Sequence, residues 1–120
     1  IMLRDRLWRA LRIILDVELH TRNLDIETAA QRMCDDLGFD IDQAKADLSW
    51  YTQSPTVPMG YAIGWALIKA LREVESQKEG FALKTFHDRL LSVGSCALPL
   101  VIKYEFGEEA WDKVRHKVFS

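Results

Sequence analysis

The sequence lacks every short motif that would declare a chemistry. Its two cysteines, Cys34 and Cys96, stand alone, without the C-x-x-C spacing of a zinc or redox site, and read as buried free thiols. Its three histidines, His20, His87 and His116, lie far apart, and neither H-x-x-x-H nor H-E-x-x-H occurs. A zinc site needs three or four converging ligands, and the usual helical solution sets two histidines one turn apart. The chain does not build that solution alone. Its six glycines never cluster, so no phosphate loop is present, and no G-x-S-x-G elbow marks a nucleophile. Excess charge is lacking too: 16 basic and 18 acidic residues leave a net charge of −2, which gives no general attraction to nucleic acid or to an anionic membrane. No uncharged apolar run reaches the roughly 18 residues of a membrane-spanning helix. The opening IMLRDRLWRA is charged and has no small-residue cleavage site of a signal peptide. An isoleucine ahead of the first methionine, inside a helical pattern, predicts a fragment of a longer protein.

What is present is helix. The 120 residues are 48% hydrophobic, enough for a single domain over 1–120 with its own core. Apolar spacing predicts a first helix over 2–22, with Leu3, Leu7, Ala10, Leu11, Ile13, Ile14, Leu15, Val17 and Leu19 covering more than half the wheel. Asp25 caps a second helix over about 26–36, which Gly38 closes. Asp40 with Gln43 opens a third over 41–53 in a variant of the capping box. The prolines of SPTVP, 54–58, forbid helix and fix an extended turn. A fourth helix runs over about 59–77 and a fifth over 83–92 with Gly94 as its stop. Pro99 suits the first turn of a sixth, which Gly107 ends. EEAWDKVRHKVFS, 108–120, adds a seventh with acidic residues first and basic residues last, as the helix dipole prefers. The predicted fold class is all-α, a compact bundle of six to seven short helices.

Polar residues on these helices carry the functional signal. Arg12, Asp16 and His20 recur every four residues on the first helix, either as a solvated face of weak ion pairs or as a polar stripe facing a cleft wall. Glu18 falls near the centre of the apolar arc and requires a partner. Gly60 and Gly64 share one side of the fourth helix and predict close approach by a neighbour. Trp8, Trp50, Trp65, Phe81 and Phe86 sit at helical spacing on apolar faces, as core residues do. Tyr61 follows the proline turn, which fixes its position; its phenol is either a half-buried core group or a hydrogen-bond donor.

Three stretches carry a family resemblance: RIILDVELHT at 12–21, YTQSPTVPMGYAIGWALIKALR at 51–72 and GFALKTFHDRLLSVGSCALPLVI at 80–102. Together they resemble the C-terminal region of a family of large bacterial proteins of unknown function, often described as lipoproteins. These in turn resemble helical H-E-x-x-H zinc peptidases. The resemblance covers about residues 7–106, and residues 108–120 lie beyond it. Full-length relatives carry the H-E-x-x-H helix and a further glutamate ligand upstream of this region. The family's stretch of tyrosine, proline, apolar residues, tyrosine and glycine is matched by Tyr51, Pro55, Tyr61 and Gly64.

The resemblance implies the C-terminal part of a larger, gluzincin-like helical protein. Tyr61 would be the oxyanion donor, with Tyr51, Arg12 and His20 as substrate-binding polar groups. It implies zinc for the full-length parent, and neither metal nor other cofactor for this chain, which would be inactive alone. The missing metal-bearing portion would be one partner and a second copy of the chain another, paired through the first helix, with no nucleic acid and no membrane span. The parent would be exported or lipid-anchored in a bacterium, or else cytoplasmic. The alternative is a non-enzymatic helical module that binds a protein partner.

Overall fold

A computed structural model of the chain describes residues 2–120, and every regular element among them is helical. Seven α-helices follow in order: α1 Met2–Thr21, α2 Ile26–Leu37, α3 Ile41–Gln53, α4 Gly60–Glu75, α5 Leu83–Ser92, α6 Leu98–Val101 and α7 Glu108–Phe119. Between α6 and α7 the chain widens into a π-helical segment, Ile102–Phe106. The backbone forms two compact units, Ile1–Ile63 and Gly64–Ser120, with the division in the first turn of α4. No helix of the described residues is long and apolar enough to cross a membrane.

Local chemistry sets the helix ends. The Asp25 carboxylate accepts from the Thr28 amide at 2.9 Å and from the Thr28 hydroxyl at 2.7 Å, satisfying amides that the first turn leaves without partners. These bonds hold the Asp25 carboxyl below its ordinary range. Asp40 caps α3 through the Asp42 amide at 2.9 Å. Gly38 ends α2 at φ 66°, a left-handed conformation that a Cβ resists, and returns its N–H to the Cys34 carbonyl. Gly107, at φ 100°, donates to both the Ile102 and Lys103 carbonyls and so closes the π-helical segment. The sixth predicted helix is thus one short α-turn that widens after Val101.

In the first unit, α1 lies against α2 and α3. Leu11 and Leu15 of α1, Ala29, Ala30, Met33 and Leu37 of α2, and Ala44, Leu48 and Tyr51 of α3 form one buried cluster. Alanines at three of these positions let the helix backbones come close. In the second unit the buried residues include Leu67, Ala70 and Leu71 of α4, Phe86 and Leu90 of α5, Ile102 and Phe106, and Ala110 and Val114 of α7. The Phe86 ring lies 5.7 Å from that of Phe106.

Four expectations change here. The broad arc of α1 is divided: Leu11 and Leu15 are buried, whereas Leu3, Leu7, Ile14 and Val17 are exposed, and the buried side continues onto Arg12 and Asp16. Trp50 and Trp65 are also exposed, so helical spacing alone does not place them in a core. Both cysteines are free, but Cys96 is exposed, in the segment between α5 and α6. A Cβ at Gly60 meets nothing within 4 Å, and one at Gly64 touches only Leu98 Cδ1 at an ordinary 3.6 Å. Glu18 finds its partners within the first unit, Arg32 Nη1 at 3.2 Å and Arg22 Nη1 at 3.9 Å.

Met33 has no exposed surface. Met33→Ala is expected to lower stability by about 2–5 kcal/mol, as truncation in a filled core does. Leu91→Ala, at a position 73% exposed, should stay within about 0.5 kcal/mol. Urea denaturation of both variants makes the comparison.

Candidate functional site

The i, i+4 spacing of α1 puts Trp8, Arg12, Asp16 and His20 in one line along the helix. Arg12 is only 6% exposed. Four rings surround it, with Cζ at 4.8 Å from the Tyr61 centroid, 5.1 Å from Tyr51, 5.3 Å from Trp8 and 5.7 Å from Trp50. A cation over aromatic faces contributes on the order of 0.5–2 kcal/mol per ring, most when water is excluded. Trp8 donates from Nε1 to the Tyr51 hydroxyl at 3.2 Å, which fixes two of the four rings against each other. Arg9 adds a second cation, 5.7 Å from the Tyr61 centroid.

Carboxylates complete the cluster. Asp16 is 2% exposed. Its Oδ1 accepts from the Thr56 amide at 3.2 Å and lies 3.1 Å from His20 Nδ1, which is also 2.8 Å from the Asp16 carbonyl oxygen. Thr56 sits at φ 70°, a region that a β-branched residue rarely enters. The strain belongs to the proline turn. Val57 and Gly60 bond back to Ser54 and Val57, and Pro58 is fully buried. The segment is therefore a pair of tight turns tied to α1 through Asp16, and not an extended connection.

Burial is incompletely compensated here. Arg12 Nε, Asp16 Oδ2 and Asp47 Oδ2 are all buried and make no hydrogen bond among the described residues. Such atoms typically cost about 1–3 kcal/mol each, a cost tolerated where a polar group has a task. Desolvation pushes the Asp47 carboxyl above its ordinary range, with the Arg12 charge and the Tyr51 hydroxyl offsetting part of the effect. Desolvation likewise raises Tyr51, so its phenol stays neutral.

The four residues singled out from the sequence occupy one unit but different depths. Tyr51 is 1% exposed and Arg12 6%, so both lie beneath the surface. Tyr61, in the first turn of α4, is 56% exposed. His20 is exposed and bonded to Asp16. The solvated-face reading fails for Arg12 and Asp16, which are buried. Trp8, Trp50, Asp47 and Thr56 were not read from the sequence as members of a site. The spacing Trp8–Arg12 and Asp47–Tyr51, four residues in each case, was the available signal for two of them.

The zinc implied for a larger parent was tested against these residues. Among the described residues no three His, Cys, Asp or Glu side chains converge to hold a metal ion. The side chains present do not fit such an ion, and no chemistry is routed through one here.

Asp47 gives a signed pH dependence. Its raised value means that the folded chain binds the proton more tightly than the unfolded chain. Below the ordinary carboxylate range both states hold the proton and the group is neutral for stability. As the pH rises through the ordinary value and then the raised one, the unfolded chain releases its proton first and stability falls. Asp47→Asn should therefore raise the urea midpoint at about pH 7 and lose that advantage near about pH 3. Equal differences at the two pH values would show that burial does not disfavour the carboxylate.

Comparison with known proteins adds one finding. No curated protein and no solved structure gives a match. Residues 1–103, which contain the whole Arg12 cluster and the Tyr61 turn, match the family described as bacterial protein of unknown function, DUF885. With most of its length and all of its candidate site inside that match, the chain belongs to the DUF885 family of bacterial proteins.

Proposed function

We propose that this chain is the substrate-side helical portion of a metal-dependent hydrolase of peptide-like substrates, lacking the metal motif and inactive alone. Tyr61 is the donor to the developing oxyanion. Arg12 and Tyr51 are positioning residues behind it, and His20 is a polar group at the edge of the substrate path. The metal, its ligands and the general base belong to segments outside this sequence.

One observation supports this reading above the others: Tyr61 is both accessible and held. Its ring lies 4.8 Å from Arg12 Cζ and 5.7 Å from Arg9 Cζ, yet the residue is 56% exposed. A surface tyrosine ordinarily samples several rotamers. Here two cations lie against the ring, and the residue stays open to water and substrate. Preorganised donors of this kind stabilise charge that appears only in the transition state. The unpaired buried atoms around Arg12 are consistent with a polar cluster retained for positioning.

A second reading, a helical module that binds a protein partner without catalysis, has one observation in its favour. Apolar side chains of α1 remain exposed at Leu3, Leu7, Ile14 and Val17.

In an active full-length protein, Tyr61→Phe is expected to lower kcat by about 100-fold or more with little change in KM, because the lost bond acts in the transition state. The variant should melt within a few degrees of the native protein, since the ring and its two cations remain. Native turnover in Tyr61→Phe would reduce Tyr61 to a packing residue and remove the hydrolase reading's main support. The purified 120-residue chain should neither retain stoichiometric zinc nor cleave peptides. Chelator-sensitive peptidase activity in it would overturn the assignment of the metal to another segment.

A further inference from the structure

The end of α4 and the start of α5 frame a pocket of about 180 Å3, and every residue lining it belongs to the second unit. The polar segment after Glu75 forms one wall. It folds as two successive turns, in which the Lys78 N–H donates to the Glu75 carbonyl and the Phe81 N–H to the Lys78 carbonyl, with Gly80 at φ 74°. Phe81 precedes the cap position of α5 and meets Phe86 in the helix, with centroids 6.1 Å apart, as a hydrophobic staple does. Phe106 extends the same apolar floor, 5.7 Å from Phe86.

The fold leaves two polar features of this pocket without a matched partner. The first is a carboxylate. Glu75 is 7% exposed, and its Oε1 is buried without a hydrogen bond. Lys78 Nζ comes within 2.6 Å of that oxygen but out of line for such a bond, on a side chain that is 56% exposed. An exposed lysine can turn to water instead, whereas the buried oxygen can accept only from another donor in the pocket. The second feature is the start of α5. Ala82 holds its cap position and offers no side-chain bond to the first-turn amides, so that end keeps its donors and its partial positive charge. Arg89 follows Thr85 by four residues, on the same side of the helix, and lines the pocket with it. Its Cζ lies 4.6 Å over the Phe106 ring, and its Nε is 3.8 Å from Glu105 Oε2, too far for a hydrogen bond.

Charge and size define the occupant. Glu75 and Glu79 balance Lys78 and Arg89 around the pocket, so the lining favours neither net sign and instead asks for opposite charges at two places. A cavity of about 150 Å3 holds benzene, so this one suits a branched aliphatic or single-ring side chain.

We propose that the pocket binds a free α-amino acid with an apolar side chain. The ammonium takes Glu75 from Lys78. The carboxylate lies between Arg89 and the first turn of α5, and the side chain rests on Phe81, Phe86 and Phe106. The proposal is independent of the hydrolase reading, because it uses no residue of the Arg12 cluster.

Calorimetric titration of the 120-residue chain with L-leucine tests it. A Kd of about 0.1–1 mM is expected, within reach of a ligand of about nine heavy atoms. 4-Methylpentanoate, which lacks the ammonium, and 3-methylbutylamine, which lacks the carboxylate, should each bind at least about 10-fold more weakly. Glu75→Gln should weaken leucine by about 10-fold and leave 4-methylpentanoate unchanged. Arg89→Gln should weaken leucine and leave 3-methylbutylamine unchanged. Arg89 is exposed, so its variant decides the matter even if Glu75→Gln does not fold. No leucine binding up to about 10 mM would overturn the proposal. Equal affinity for the three ligands would do the same, since it would leave only an apolar cavity.

Discussion

The first unit depends on a buried cation, Arg12, which makes no ion pair among the described residues. Arg12 carries a full charge at a depth where an isolated ion is costly, and it is held there by ring faces and by the nearby Asp47 carboxyl. Four aromatic residues from α1, α3 and α4 converge on that charge. Their convergence explains several local features together: a neutral Tyr51 deep in the core, an Asp47 carboxyl raised by burial, and a Tyr61 ring fixed at the surface. Each ring that shields the guanidinium also excludes the water that would otherwise solvate it. The arrangement is consequently cooperative, and loss of one ring weakens the others' hold.

The turn between α3 and α4 is the second constraint. Pro55 and Pro58 limit what the backbone can do, and Asp16 selects among the remaining conformations by accepting the Thr56 amide. The cost of a positive φ at a threonine is tolerated because the alternative leaves a buried carboxylate without that bond. The turn thus inherits its shape from α1 and passes it to the first turn of α4, where Tyr61 stands.

Much of this was legible in the sequence. Capping residues Asp25 and Asp40, the stop at Gly38 and the proline turn place six of the seven helices to within two residues, because those signals are local. Tyr61, Tyr51, Arg12 and His20 were named on a family resemblance; the structure sets the two tyrosine rings against Arg12, whereas His20 bonds to Asp16. What failed was the choice of face on α1. A hydrophobic wheel measures only which residues prefer burial. It cannot know that Arg12 is the better neighbour for three helices' aromatic side chains, nor that half of a wide apolar arc is left outside. Asp47 and Thr56 were invisible for a related reason. Their roles arise from desolvation and from a bond across forty residues, and neither leaves a pattern along the chain.

Asp16's bond to the turn has a further consequence, in time rather than in space. Among the described residues the Thr56 N–H is the one backbone donor that reaches that carboxylate, and it can exchange its proton with solvent only when the bond opens. The rate at which this single amide takes up deuterium is thus a clock for the cluster's opening. It reports how often α1 releases the turn, and therefore how long Tyr61 stays in the position that the rest of the unit sets for it.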